Sequence, residues 1–170
     1  MEEIKLYETK DSKMRLAVLE FFENSEACEL AQLDANHLDQ IHLGYICMES
    51  AKVVGICALV KNKYMSSELI LAVRENFQAK GIASRLQKKL LTAANDKKLS
   101  ITLTTYDTAP YIHVVKFYEN FGFILLRKYK SKLLYGHNTN RRKFNIKRQF
   151  IFYYLALGKE CKVWIRNLKK

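Results

Sequence analysis

Eleven residues, Val73-Arg74-Glu75-Asn76-Phe77-Gln78-Ala79-Lys80-Gly81-Ile82-Ala83, mark the point where an apolar run gives way to a helical period. Such a junction can hold an anion. The first N–H groups of a helix have no internal partner and point outward beside the positive end of its dipole. Gly81 and Ala83 add no bulk, so a phosphate can approach those groups closely, and Lys80 adds positive charge. The same residues also suit an ordinary loop with a glycine near a helix start, and this segment alone does not choose between the two. Other chemistry-bearing types are scattered. Cys28, Cys47, Cys57 and Cys161 form no CxxC pair, and His37, His42, His113 and His137 supply no close ligand pairs, so no metal is expected.

The elements that must position the junction are readable from periodicity. Ile4 and Leu6 alternate with charged neighbours as a first strand. Asp11 or Ser12 can cap a helix carrying Met14, Leu16, Val18, Leu19 and Phe22. An acidic helical stretch follows from about Ser25 to His42. Leu43–Met48 and Val53–Val60 read as a hairpin through Ser50-Ala51-Lys52, and Glu68–Val73 as a buried strand. A long helix runs from about Gly81 to Asn95 with Ile82, Leu86, Leu90 and Ala93 inside. Ser100–Tyr106 alternates like a strand, Pro110 opens another helix that ends at Gly122, and Phe123–Tyr129 and Arg148–Leu157 complete the strands. The order β-α-α-β-β-β-α-β-α-β-β predicts a mixed α/β fold with at least one parallel crossover around residues 69–106.

A chain of 170 residues has the size of one domain, here 1–170, with its motif-bearing part at 68–123 and a basic part at 124–170. Net charge is +12, unevenly spread. Residues 1–67 carry 7 basic and 11 acidic groups, whereas 121–170 carry 14 basic and 1 acidic. Such a block suits a polyanionic neighbour, nucleic acid included, or simply a solvated basic surface. Glu2 and Glu3 stand where a secretory signal would carry basic residues, and the apolar run Phe150–Gly158 is too short to span a bilayer. The expectation is a cytoplasmic protein with free thiols and no membrane partner. Phe150–Leu157 reads equally as a homodimer interface or as a strand of a monomer.

Gln78-x-x-Gly81-x-Ala83, after a strand ending in Val73, resembles the Q/R-x-x-G-x-G/A signature of the GNAT acetyltransferases. Phe117-Tyr118-Glu119-Asn120-Phe121-Gly122-Phe123 resembles that family's F-Y-E-x-x-G-F block, in the family's order and with the right strand between. The resemblance covers Glu68–Phe123. It implies the GNAT fold and acetyl-CoA as co-substrate. The amides of Gln78, Ala79, Lys80, Gly81, Ile82 and Ala83 would hold the pyrophosphate, and the backbone of Leu71, Ala72 and Val73 would pair with the pantetheine arm. Two positions depart from the pattern: Glu75, where the family often has proline, and Tyr111, where it often has asparagine.

Acyl transfer from a thioester to an amine leaves a thiolate, which a positioned phenol can protonate. The resemblance gives that role to Tyr118, whose spacing from Val114 and Tyr111 also suits a packed aromatic. Some relatives use a glutamate of the preceding strand as base, which makes Glu68 the candidate here. Strand alternation sets Glu68 with Ile70 and Ala72 and opposite Leu69, Leu71 and Val73, the other parity from those relatives. Asp107, Tyr106, a water chain or a backbone carbonyl are the alternatives. No cysteine stands in a context for a covalent acyl-enzyme, and Cys47 and Cys57 read as small core residues. Direct attack by the amine is the expected mechanism, with the thioester carbonyl polarised by a backbone N–H near Val73.

The acceptor is an amine of a small molecule or peptide, by the family's habit. The acidic helices (Glu20, Glu23, Glu26, Glu29) suit a cationic amine, and the basic last strands suit an acceptor linked to phosphate, such as aminoacyl-tRNA. From another class, Tyr129, Tyr135, Phe144 and Phe150 among basic residues suit a non-catalytic nucleic-acid-binding module. A relative that binds CoA without turnover is a third reading.

Overall fold

In the computed structural model the described residues are 2–30, 33–61, 67–106, 112–129 and 132–138. Strand β1 (Glu3–Leu6) leads into helix α1 (Ser12–Glu23), whose start is set by Asp11. The Asp11 carboxylate accepts from the N–H of Lys13 at 2.9 Å and of Met14 at 3.0 Å, satisfying two donors that the helix itself leaves unpaired. Val18, Phe21 and Phe22 are its buried side. Leu16, expected inside, is 65% exposed, because two residues along a helix is about 200° of turn from Val18.

The stretch from Ser25 to His42, expected as one helix, is two short ones, α2 (Glu26–Leu30) and α3 (Ala35–Gln40). Asp34 makes the break. It accepts from Asn36 N–H at 2.9 Å, and His37 Nδ1 lies 3.2 Å from the Asp34 N–H and 2.8 Å from its Oδ1, taking the proton of the first or giving one to the second according to its tautomer, a cap that starts a new helix. His42 falls instead in strand β2 (Ile41–Glu49). The hairpin to β3 (Lys52–Lys61) turns at Ser50 (φ 49°) and Ala51 (φ 66°), the two positive φ values that a tight two-residue hairpin needs.

Strand β4 (Ser67–Val73) is followed by a 3₁₀ turn at Glu75–Phe77 and helix α4 (Ile82–Asp96). Strand β5 (Ser100–Tyr106), helix α5 (Ile112–Asn120) and strands β6 (Ile124–Tyr129) and β7 (Lys132–Asn138) complete the described elements. They lie within one compact unit, Met1–Thr139. The seven strands form one sheet in the order β1-β2-β3-β4-β5-β7-β6, in which β4 and β5 are the parallel pair of the expected crossover. The mixed α/β architecture is as expected, with one more short helix and with β7 where no strand was read. The strand expected at Arg148–Leu157 lies outside the described residues, as do Asp107, Pro110 and Tyr111.

Each face of the sheet carries a core. Leu43, Cys47, Cys57, Leu59, Leu69, Val73, Ile101 and Leu103 pack with Ile82, Leu86, Leu90 and Ala94 of α4 and with Tyr118 of α5. On the other face Ile46, Ile56, Ala58, Val60, Ile70 and Ala72 pack with Val18, Phe21, Phe22, Cys28 and Leu38 of the first three helices. Helix α4 lies close on the sheet at Gly55, where a Cβ would stand 3.2 Å from both Ile82 Cγ2 and Leu86 Cδ1. Ala94, not Ala93, is fully buried on α4, and so is Gln87, whose Oε1 accepts from Cys57 Sγ at 3.4 Å.

Candidate functional site

Strand β4 treats its two neighbours differently. It pairs with β3 along its whole length, from Lys61↔Ser67 to Gly55↔Val73. With β5 the parallel register covers Ser67↔Ile101 and Glu68↔Thr102 and, among the described residues, goes no further. Beyond that point the two strands no longer pair, although both continue to Val73 and Tyr106. Arg74 N–H donates to Val54 O of β3 at 2.9 Å. Since successive N–H groups of a strand point to opposite edges, those of Leu71 and Val73 turn toward the β5 side, where the ladder has stopped. An extended polar ligand laid in that gap would find a strand edge to pair with.

The gap leads directly to the loop at residues 74–81. Gln78 closes the loop back on the strand, its Nε2 donating to Val73 O at 3.1 Å. Ala79 (φ 59°) and Gly81 (φ 75°) bend the chain through left-handed conformations, and Gly81 occupies the N-cap position of α4 with no side-chain cap bond. A Cβ built on Gly81 meets nothing within 4 Å, so the space over the helix start is open. Lys80 Nζ lies 4.6 Å from the Phe77 ring centre, a cation–π contact that holds a positive charge beside the loop. Open space, uncapped amides and a nearby cation fit a diphosphate, and the free edge of β4 above them fits an amide-bearing arm.

Tyr118 is 7% exposed and packs edge-on to Phe117 (ring centres 5.3 Å apart) and Phe123 (5.6 Å), on the face covered by α4 and α5. Burial, and secondarily the Cys57 thiol, push its phenol well above the ordinary tyrosine value, so it stays protonated at neutral pH. Glu68 points to the opposite face with Ile70 and Ala72, as alternation requires, and its register partner Val60 belongs to the same core. Burial raises its carboxyl above the ordinary glutamate value, an effect the His37 charge partly offsets. A raised glutamate is nearer the operating range of a general base. The expected cofactor residues Leu71, Ala72, Val73, Gln78, Ala79, Lys80, Gly81, Ile82 and Ala83 come together at one end of the gap, while Tyr118 and Glu68 lie on opposite faces of the sheet.

Cys28, Cys47 and Cys57 are free and buried, and burial raises all three thiols, which leaves them poor nucleophiles. Among the described residues no group of three or more His, Cys, Asp or Glu is placed to hold a metal, and no helix is long and apolar enough to cross a membrane. Two features of the site were not anticipated. Arg74 and Glu75 reach back to the α1–α2 corner, and Gln87 sits under β3. Neither carries a local sequence signal.

The profile of the acetyltransferase (GNAT) domain matches residues 40–125, from the end of α3 into β6. A comparison with curated protein sequences gave no match. Among solved structures, an acetyltransferase of the GNAT family from Staphylococcus aureus Mu50 has a TM-score of 0.59 at 18% identity, covering 82% of this chain and 100% of that one. The ribosomal-protein-S18-alanine N-acetyltransferase from Escherichia coli has a TM-score of 0.62 at 14% identity, covering 85% and 98%. A protein described as a streptothricin acetyltransferase from Bacillus anthracis, solved in complex with acetyl coenzyme A, has a TM-score of 0.50 at 18% identity and covers 60% and 68%. At these identities the likeness is one of fold.

Proposed function

The chain belongs to the GNAT acetyltransferase family and is an acetyl-CoA-dependent acyltransferase, and from that premise we propose that its acceptor is a primary amine of a small molecule or peptide, which attacks the thioester directly. The observation that carries the reading is the end of pairing between β4 and β5 before an uncapped helix start. Acetyl-CoA brings the activated acyl group, and the chain's own residues position it and move protons. Val73 N–H faces the gap and can polarise the thioester carbonyl. Tyr118 is held protonated by burial and donates to the departing sulfur. Glu68, on the far face, accepts the proton of the incoming ammonium, directly or through water. The buried, raised thiols argue for direct attack over a covalent acyl-enzyme.

A second reading, aminoacyl-tRNA as the acceptor, draws on the 14 basic and 1 acidic residues of 121–170. A calorimetric titration with acetyl-CoA tests the foundation, with micromolar binding expected and its absence overturning the assignment of the loop. A thiol-release assay on spermidine, a lysine-rich peptide and aminoacyl-tRNA then separates the acceptors. In that assay Tyr118→Phe is expected to lower kcat by about a hundredfold with acetyl-CoA affinity unchanged. An unchanged kcat would leave Tyr118 as a packed aromatic.

A further inference from the structure

The N-terminal end of helix α2 is held from far along the chain. Ser25 stands at its start, yet Ser25 Oγ donates to Glu75 Oε1 at 3.1 Å, and the same carboxylate oxygen accepts Ala27 N–H at 2.7 Å. The cap therefore comes from a residue 48 positions further on, in the 3₁₀ turn between β4 and α4. Arg74, beside it, holds the corner from the other side. Its Nε donates to Val53 O at 2.9 Å and its Nη1 to Asn24 O at 3.3 Å, and its guanidinium lies 5.2 Å from the Phe21 ring centre.

The turn that carries these contacts is also the root of the cofactor loop. Phe77 N–H donates to Arg74 O at 2.9 Å and Gln78 N–H to Glu75 O at 3.2 Å, and Gln78 then ties to Val73. A shift of Glu75 would move both the α1–α2 corner and the loop. The corner belongs to the face on which Glu68 lies, since Phe21, Phe22 and Cys28 pack there with Ile70 and Ala72. The opposite face is covered by α4 and α5, and this one by α1, α2 and α3, so the corner is part of the layer that lies over the Glu68 face.

We propose that Glu75 is a positioning residue that makes order in the α1–α2 corner and acetyl-CoA binding at the 78–83 loop a single coupled equilibrium, so that the acceptor side is set when the cofactor side is filled. The proposal rests on the reading that this loop binds acetyl-CoA. The Glu75 carboxylate suits the task. Burial would raise it, but the donors at its own backbone, Ala27 and Ser25, with the Arg74 charge, hold it below the ordinary glutamate value and ionised. By linkage, whatever the loaded loop gains from an ordered corner, the corner gains from the loaded loop.

Cys28 offers a probe that needs no acceptor. It follows Ala27 in α2, is 0% exposed, and has its thiol pushed up to about 12 by burial, so it reacts only when the corner opens. N-ethylmaleimide labelling, resolved by mass spectrometry at Cys28, Cys47 and Cys57, is measured with and without saturating acetyl-CoA, beside calorimetric titrations of the same proteins. In the wild type acetyl-CoA is expected to slow labelling of Cys28 by about tenfold, a usual size for coupling between sites. Glu75→Ala is expected to speed labelling of Cys28 alone and to abolish protection by acetyl-CoA, with Glu75→Gln between the two. Binding of acetyl-CoA without protection of Cys28, or protection that survives in Glu75→Ala, would overturn the coupling while leaving the loop's role intact. Faster labelling of all three cysteines in Glu75→Ala would make the residue merely structural and overturn it too. Absence of acetyl-CoA binding in the wild type would remove the reading and the coupling together.

Discussion

Helices α1 and α4 begin in opposite ways. At α1 the Asp11 carboxylate sits on the N–H groups of Lys13 and Met14, with the cap residue in extended conformation at φ −80°. At α4 the cap position is a left-handed glycine with no side-chain bond, facing empty space. A glycine at the cap position forgoes roughly a few tenths of a kcal/mol relative to Asp, Ser or Asn. Helix α4 tolerates this because its other side is held firmly: Ile82, Leu86 and Leu90 are buried against the sheet. One start is built for stability and the other is left available for a ligand, and the two kinds of start respond to different perturbations.

The sharpest test exchanges the roles. Gly81→Glu puts a carboxylate over the α4 amides, where a diphosphate would sit. Like charges about 4 Å apart in a partly shielded site cost up to about 4 kcal/mol, so acetyl-CoA affinity is expected to fall by up to about a thousandfold by calorimetry. A side chain at φ 75° also costs roughly 1–2 kcal/mol of stability. Gly81→Ala carries that strain without the charge, so a variant that loses stability and keeps most of its affinity would locate the large effect in electrostatics. Equal affinities in wild type and Gly81→Glu would break the comparison.

A second perturbation tests what holds α4 while its start stays open. Gly55 leaves a Cβ only 3.2 Å from Ile82 Cγ2 and Leu86 Cδ1 and 3.3 Å from Val73 Cγ2. Gly55→Val overfills that contact and is expected to cost about 1–3 kcal/mol in urea unfolding. Because Ile82 opens α4 and Val73 ends β4, the same change should also weaken acetyl-CoA binding, by less than Gly81→Glu does. Stability lost with no change in affinity would mean that the open start does not depend on the packing beneath it. By contrast Asp11→Ala, at the capped start, is expected to cost about 1 kcal/mol and leave the affinity alone. In a chain of this size that is a fall of roughly 2–4 °C in Tm.

What the sequence makes legible follows the same division. The β4–loop–α4 junction is readable because its signals are local: an apolar run ending at Val73, a glycine, then a helical period. Strand alternation is local too, and it places Glu68 on the correct face. Asp34 with His37 three residues on is a local capping signal as well, but the even acidity of Ser25–His42 hid it. Glu75 capping α2 has no such signal, because Glu75 and Ala27 meet only after α1 and β4 have packed. Gln87 is polar, so reading α4 by apolar positions passed over it, although the helix buries the residue beside Leu86 against Cys57. Strand β7 escaped notice because Lys132, Gly136 and His137 interrupt its alternation, while its place between β5 and β6 comes from pairing on both sides.

The smallest expected effect concerns acid, and it separates the two kinds of start once more. Asp34 caps α3 much as Asp11 caps α1, and its carboxyl lies below the ordinary aspartate value. The His37 hydrogen bond is the largest cause; desolvation opposes it, and the bonds from Asn36 and the His37 charge add to the lowering. A carboxyl depressed in the folded state stabilises above the ordinary aspartate range, and its contribution is lost as the pH falls through the folded value. Asp34→Asn removes the charge and keeps an oxygen for Asn36 N–H. The difference in urea midpoint between wild type and Asp34→Asn should therefore be small and positive at pH 7 and shrink as the pH falls below the ordinary aspartate value. Asp34 is exposed, which keeps the difference near the limit of detection, so amide exchange at Asn36 and His37 is the more sensitive readout. The start of α4 has no acid in its first turn, so exchange at Ile82 and Ala83, corrected for intrinsic rate, should not follow that titration. If it does, acid is loosening the sheet as a whole, and the two helix starts are less independent than their chemistry implies.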